Sequence, residues 1–162
     1  MITISLCLIA IYAAEANTNK VKDFVEKASS GNLFEIESSK LALTKSTNAD
    51  VKNFAQSMVD DHAIVGTDLE STISAAGVDK SFVRKTMDKQ HMKLYDKLQK
   101  TSAQNFDKEY VKLQIDAHKD TVKLFKDYSE NGDDPTLKEF ATRNLPTLEQ
   151  HEQRIKEIKD AM

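Results

Sequence analysis

The chain has 162 residues, 40% of them hydrophobic and 30% charged, with four Gly and two Pro beside a rich supply of Lys, Glu, Asp, Ala and Leu. That is an ordinary globular balance, enough for one packed core, and so few turn formers exclude a turn-rich all-β design; the composition predicts an all-α protein. The formal charge is −3, and the lysines alternate with acids instead of clustering, so there is no basic footprint for nucleic acid.

Residues 1–16 differ from everything after them. Ile2 to Ala14 is almost wholly apolar, and Ala14-Glu15-Ala16 offers small residues around a cleavage point, the pattern of a secretory signal peptide. It predicts a periplasmic or secreted protein with a mature domain at 17–162. The apolar run falls short of the roughly 20 residues a membrane span needs, so no stable span is expected after cleavage. No Lys or Arg precedes the run, a departure that a start site assigned too far downstream would explain. The only cysteine, Cys7, lies inside it, preceded by Leu6 where a lipoprotein signal requires a small residue. Cleavage after Ala16 removes the thiol, and with it disulfides, thiolate catalysis and cysteine metal ligation.

From Asn17 to Ser46 the apolar residues Val21, Phe24, Val25, Ala28, Leu33, Phe34, Ile36, Leu41 and Leu43 predict a first helix, in which Gly31 marks a break or a close helix contact. Thr47 or Asn48 caps a second helix that stops at Gly77. Its seam, Val51, Ala55, Met58, His62, Val65, Leu69, Thr72 and Ala76, alternates steps of four and three, the spacing that keeps one face toward a partner. Ser81 can cap a shorter helix to about Thr101. A further long helix runs from near Asn105 to Gly132, with Val111, Ile115, His118, Val122 and Phe125 on its seam. Asp133-Asp134-Pro135 starts the last helix, because acids suit the N-terminal dipole and Pro tolerates the first turn. Its seam carries Leu137, Ala141, Asn144, Leu148, His151, Ile155 and Ile158, with Pro146 expected to bend it before His151. Two long hairpins joined by a crossover that carries the 81–101 helix place four long helices in one bundle, and no flexible linker divides it.

Three of the four histidines, His62, His118 and His151, thus fall on apolar seams of three different helices. Imidazole is costly to bury unless its nitrogens find partners, so three inward rings point to a hydrogen-bonded polar core, to a metal site between helices, or to acid–base catalysis. A standard di-iron centre of the Glu-x-x-His kind is not written here: the residues three and four away from His62 are Met58, Val59, Val65 and Gly66, and those around His151 are Thr147, Leu148, Arg154 and Ile155. Near His118 only Gln114 is polar enough to help. Any carboxylates must come from elsewhere, with Glu35 and Asp61 the first candidates, and a His and carboxylate set suits Zn or Fe better than Ca or Mg. Asp88-x-x-His91 is correctly spaced but reads as a surface or rim pair. No Gly-rich phosphate loop and no serine nucleophile motif stands in the chain.

Several blocks resemble a known family. Gly31-Asn-Leu-Phe-Glu35-Ile-Glu-Ser-Ser-Lys-Leu-Ala42, Val51-Lys-Asn-Phe-Ala-Gln-Ser-Met-Val-Asp-Asp61-His62, Phe106-Asp-Lys-Glu-Tyr110-Val, His118 to Phe125 and Leu145-Pro-Thr-Leu-Glu-Gln-His151 are similar, in order, to the bacterial domain of unknown function 4142. The resemblance implies an exported, ferritin-like four-helix bundle with an additional crossover helix, and a metal pocket at the positions of the family's polar motif: Glu35, Asp61, His62, His118 and His151. Ala117 stands where many members place an acid, so the two helix–histidine motifs are not symmetric. The function so implied is an exported bundle that binds a transition metal, Fe or Zn, through core histidines and carboxylates. The alternative is a non-enzymatic structural or protein-interaction bundle whose histidines complete the core. An enzymatic role would require a pocket around the rings wide enough for substrate. Neither a reaction nor a protein partner can be read from these residues.

Overall fold

The computed structural model describes the backbone of residues 5–162 and the side chains from residue 19 onward, so the expected export segment 1–16, with Cys7, lies outside the described side chains. All regular structure among the described residues is helical: α1 (Ser5–Lys45), α2 (Ala49–Ala76), a 3-10 turn at Lys80–Phe82, α3 (Lys89–Lys100), α4 (Ala103–Asn131) and α5 (Pro135–Asp160). Among the described residues no helix is long and apolar enough to cross a membrane.

The helix ends follow local chemistry. Asn48 Oδ1 accepts from the backbone N–H groups of Asp50 at 2.9 Å and Val51 at 3.2 Å, satisfying two donors that the first turn of α2 leaves free. A cap of this kind stabilises by about 1 kcal/mol. Gly77 ends the helix at φ 66, a left-handed conformation that side chains resist, and the N–H groups of Gly77 and Val78 fold back onto the carbonyls of Ser74 and Ile73. Asp134 caps α5 by accepting from Leu137 N–H at 2.9 Å, with Pro135 in the first turn. The helix continues through Pro146 to Asp160.

Two expectations are corrected. The shorter helix begins at Lys89, not at Ser81: Asp79 caps only the 3-10 turn, and Asp88 caps α3 through His91 N–H at 2.9 Å. The stretch between them stays outside a helix because α1 satisfies its donors. Arg84 N–H donates to Ser29 Oγ at 3.0 Å, and Asp88 N–H donates to Ser30 Oγ at 2.9 Å. Gly31, in turn, breaks nothing. It sits inside α1 where a Cβ would lie 3.8 Å from Thr121 Oγ1 of α4, an ordinary contact.

The interior is two apolar clusters with a polar layer between them. One cluster gathers Val21 to Ala28 of α1, Val65 to Ile73 of α2, Phe125 and Tyr128 of α4, and Leu137 to Leu148 of α5. The other gathers Phe34 and Ala42 of α1, Val51 to Met58 of α2, Phe106 to Leu113 of α4, and Ile155 and Ile158 of α5. Chain direction follows from this order. α1 and α5 run from the first cluster to the second, and α2 and α4 run the other way. α1 packs on α2 and α4, and α5 packs on the same two, so the helices brought together by these contacts are antiparallel. Val78, Phe82 and Val83 rest on the first cluster while Met87, Leu94, Tyr95 and Leu98 rest on the second, so the segment after α2 returns along the length of the bundle before α4 begins.

Candidate metal centre

Between the two clusters, each of α2, α4 and α5 contributes its seam histidine. His62, His118 and His151 are 3%, 1% and 7% exposed, which places all three in the interior. Their ring centroids form a near-regular triangle: 6.0 Å from His62 to His118, 5.7 Å from His62 to His151 and 5.7 Å from His118 to His151. One ring nitrogen from each lies within 4.8 Å of the other two, and among the described residues this is the set of metal-ligating side chains that converges so closely.

Each ring is oriented by an oxygen on its outer side. His62 Nδ1 donates to Asn32 Oδ1 of α1 at 3.0 Å, His118 Nδ1 donates to the Gln114 carbonyl at 2.9 Å, and His151 Nε2 donates to Asp61 Oδ2 at 2.9 Å. Because those three nitrogens carry hydrogen, the lone pairs reside on His62 Nε2, His118 Nε2 and His151 Nδ1. All three of these atoms are buried without a hydrogen-bond partner. An N–H held by an outer oxygen with the second nitrogen left bare is the arrangement of metal-ligating histidines, in which the outer partner sets tautomer, ring angle and basicity. Burial also keeps the rings neutral. It lowers the pKa of His118 to about 4, pushes that of His62 well below the usual histidine value, and lowers that of His151 against the opposing pull of Asp61.

The two carboxylates named from sequence stand one step back from the triangle. Glu35 of α1 is 2% exposed, with Oε1 3.7 Å from His118 Nδ1 and Oε2 buried without a partner. Burial raises its pKa to about 8, so near neutral pH the metal-free protein holds it largely as the acid. Asp61 of α2 lies on the other side, its side chain 41% exposed, and its carboxylate oxygen grips His151. A cleft of about 220 Å³ between α2 and α5 reaches this pair.

Asn32 was not anticipated from the sequence, although Asn32, Glu35, Ser38 and Ser39 repeat at helical spacing along one stripe of α1. That stripe continues the polar layer: Gln114 Nε2 donates to Ser38 Oγ at 3.0 Å, and Ser39 Oγ meets Tyr110 OH at 2.9 Å. Gln114 helps His118 with its backbone carbonyl, not as a ligand. The Asp88 and His91 pair is half-buried and tied to α1, since Ser30 Oγ lies 2.9 Å from both Asp88 Oδ2 and His91 Nδ1. Asp88 Oδ2 and Ser30 Oγ meet the same ring nitrogen, so the three residues are not ordered as a nucleophilic triad, which needs them on opposite nitrogens.

An all-helical bundle whose polar midsection turns three neutral imidazoles toward one point defines the class of protein to which this chain belongs. Within that class the family is settled by the family model described as "Domain of unknown function (DUF4142)", which matches residues 10–158; the chain belongs to this family. No curated protein and no solved structure matches it.

Proposed function

We propose that the protein is an exported metal-binding bundle of the ferritin-like kind, with α1, α2, α4 and α5 as its four helices and α3 as the crossover helix, working in the periplasm or outside the cell. The antiparallel order of the four helices and the returning segment between α2 and α4 support the architecture. The apolar run before Ala14-Glu15-Ala16 supports export.

The observation that carries the metal reading is the set of three buried lone pairs, on His62 Nε2, His118 Nε2 and His151 Nδ1. Three buried acceptors that no protein donor meets destabilise a fold that gains nothing from them. A tetrahedral ion such as Zn, with bonds of about 2.0–2.1 Å to nitrogen, draws its ligand nitrogens to about 3.3 Å of one another. Separations within 4.8 Å reach that by modest ring and helix adjustments. Zn or Fe fits this donor set better than Ca or Mg, since imidazole is a softer ligand than the oxygens those cations prefer.

His62, His118 and His151 are the ligands in this reading. Glu35 stands behind His118, its Oε1 3.7 Å from the outer Nδ1, where as a carboxylate it would offset the charge of an ion held by the three rings. Asp61 acts through His151, fixing the ring so that Nδ1 faces inward. An ion held by three imidazoles supplies Lewis acidity at whatever position the protein leaves open. The test is metal content in protein purified without an affinity tag. Stoichiometric Zn or Fe, lost in a folded His62→Ala/His118→Ala double variant, is the expected result; clean metal-free protein under metal-replete conditions overturns the reading.

A further inference from the structure

A second cavity approaches the polar layer from the opposite side to Asp61. It measures about 260 Å³ and lies between α1, α2 and the connector after the 3-10 turn, running inward from Arg84 to the Asn32 and His62 pair. Val65, Phe125 and Phe140, all buried members of the first apolar cluster, form its inner wall. The cavity therefore pairs an apolar inner wall with a charged entrance.

The charge at that entrance is one-sided. Glu70, the one acid among the lining residues, is held by Lys85 at 2.8 Å. Arg84 forms no ion pair among the described residues, and its Nε is buried without an acceptor. A guanidinium cannot shed its charge, and a half-buried one that lines a cavity without an ion-pair partner suits a planar anion there, since a carboxylate matches its fork with two parallel hydrogen bonds. Size narrows the rest of the ligand. A dry cavity of about 150 Å³ accommodates benzene, so the larger volume here accommodates one ring with a carboxylate attached.

We infer that this cavity binds a small organic monocarboxylate with a ring-sized apolar body, its carboxylate on Arg84 and its body against Val65, Phe125 and Phe140. A second carboxylate on the body would be buried against that apolar wall, so one carboxylate is favoured over two. The inference does not rest on metal occupancy, because the recognising groups are Arg84 and the apolar wall.

The experiment titrates benzoate into the protein held metal-free with chelator and follows the ring resonances of His62, Phe125 and Phe140 by NMR. Inorganic phosphate serves as the anion without an apolar body. Saturable benzoate binding is expected within about 10 mM, weakened about tenfold or more by Arg84→Met, which keeps the aliphatic stem and the backbone bond to Ser29. Leu33→Phe narrows the cavity from its half-buried wall and leaves Arg84 in place, and it is expected to lose binding as well. Absence of saturation, phosphate binding as tight as benzoate, or unchanged affinity in folded Arg84→Met or Leu33→Phe protein would each overturn the inference.

Discussion

His151 of α5 donates Nε2–H to Asp61 Oδ2 of α2 at 2.9 Å, and this one bond decides that Nδ1 is the nitrogen His151 turns toward His62 and His118. Asp61 is the more exposed partner, with a side chain 41% accessible against 9% for His151, and a cleft reaches the pair, so water takes its place on Nε2–H and its removal costs the metal-free fold little. It does release the ring. Asp61→Ala is therefore expected to weaken zinc affinity by about 10–100-fold with a small change in metal-free stability. Competition against a chelator of known affinity, beside denaturant unfolding of the metal-free protein, measures both. Unchanged affinity would mean that Asp61 does not orient His151.

Glu35 and the histidines give stability opposite dependences on pH. Burial raises the Glu35 pKa from 4.5 to about 8, so between those values the folded state holds the proton that the unfolded state has released. Stability then falls as pH rises, by at most about 1.4 kcal/mol per pH unit. Glu35→Gln keeps the shape and removes the titration, and the metal-free variant is expected to lack this loss between pH 5 and 8. For His118 the folded value drops from 6.5 to about 4, so the unfolded state binds the extra proton and stability falls as pH drops through that window. His62 and His151 add to the same acid limb, their values being lowered in the fold. Urea unfolding of metal-free protein across pH 4–8 checks both limbs. A Glu35→Gln profile parallel to the native one would sink the assignment of the alkaline limb.

Much of this arrangement is legible in the chain, and the illegible part has a physical cause. His62, His118 and His151 replace apolar residues at regular steps of three and four, so their inward direction follows from helical periodicity alone. Asn48, Gly77 and Asp134 declare helix ends because capping is local chemistry. Ser81 looks like a cap as well, but a hydroxyl on a distant helix, Ser29 or Ser30, decides where α3 begins, and no local signal carries that. Asn32 and Asp61 are similar. Which ring each one holds depends on the lateral placement of α1 against α2 and of α2 against α5, whereas periodicity gives only the face on which a side chain lies.

Ser30 is the hub that fastens the start of α3 to α1. Its hydroxyl accepts from Asp88 N–H at 2.9 Å and lies 2.9 Å from Asp88 Oδ2 and from His91 Nδ1. Ser30→Ala leaves the Asp88 N–H without its acceptor and is expected to cost about 1–3 kcal/mol. Since the trio lies on α2, α4 and α5, zinc affinity should stay within about twofold of native. Hydrogen exchange should show faster opening in residues 83–91. A large loss of metal affinity instead would mean that this connector supports the histidine layer.

Replacing a ligand by an apolar residue separates the metal's contribution from that of packing. His118 sits 1% exposed with Nε2 unpartnered, and its Nδ1–H goes to a backbone carbonyl four residues earlier on the same helix. That carbonyl keeps its helical partner when the ring is removed, so His118→Leu exchanges a poorly satisfied polar ring for a side chain of similar reach. In metal-free protein the variant is expected to match or exceed native stability. Zinc reverses the order. Binding to the folded state alone stabilises by about 2.7 kcal/mol when free zinc is a hundred times the dissociation constant, and the native protein gains this while His118→Leu gains little. Thermal unfolding of both proteins, with chelator and with buffered free zinc, makes the comparison in one experiment. An equal zinc-induced shift in the two would place the ion elsewhere; a native protein that shifts not at all would leave the three imidazoles as core packing.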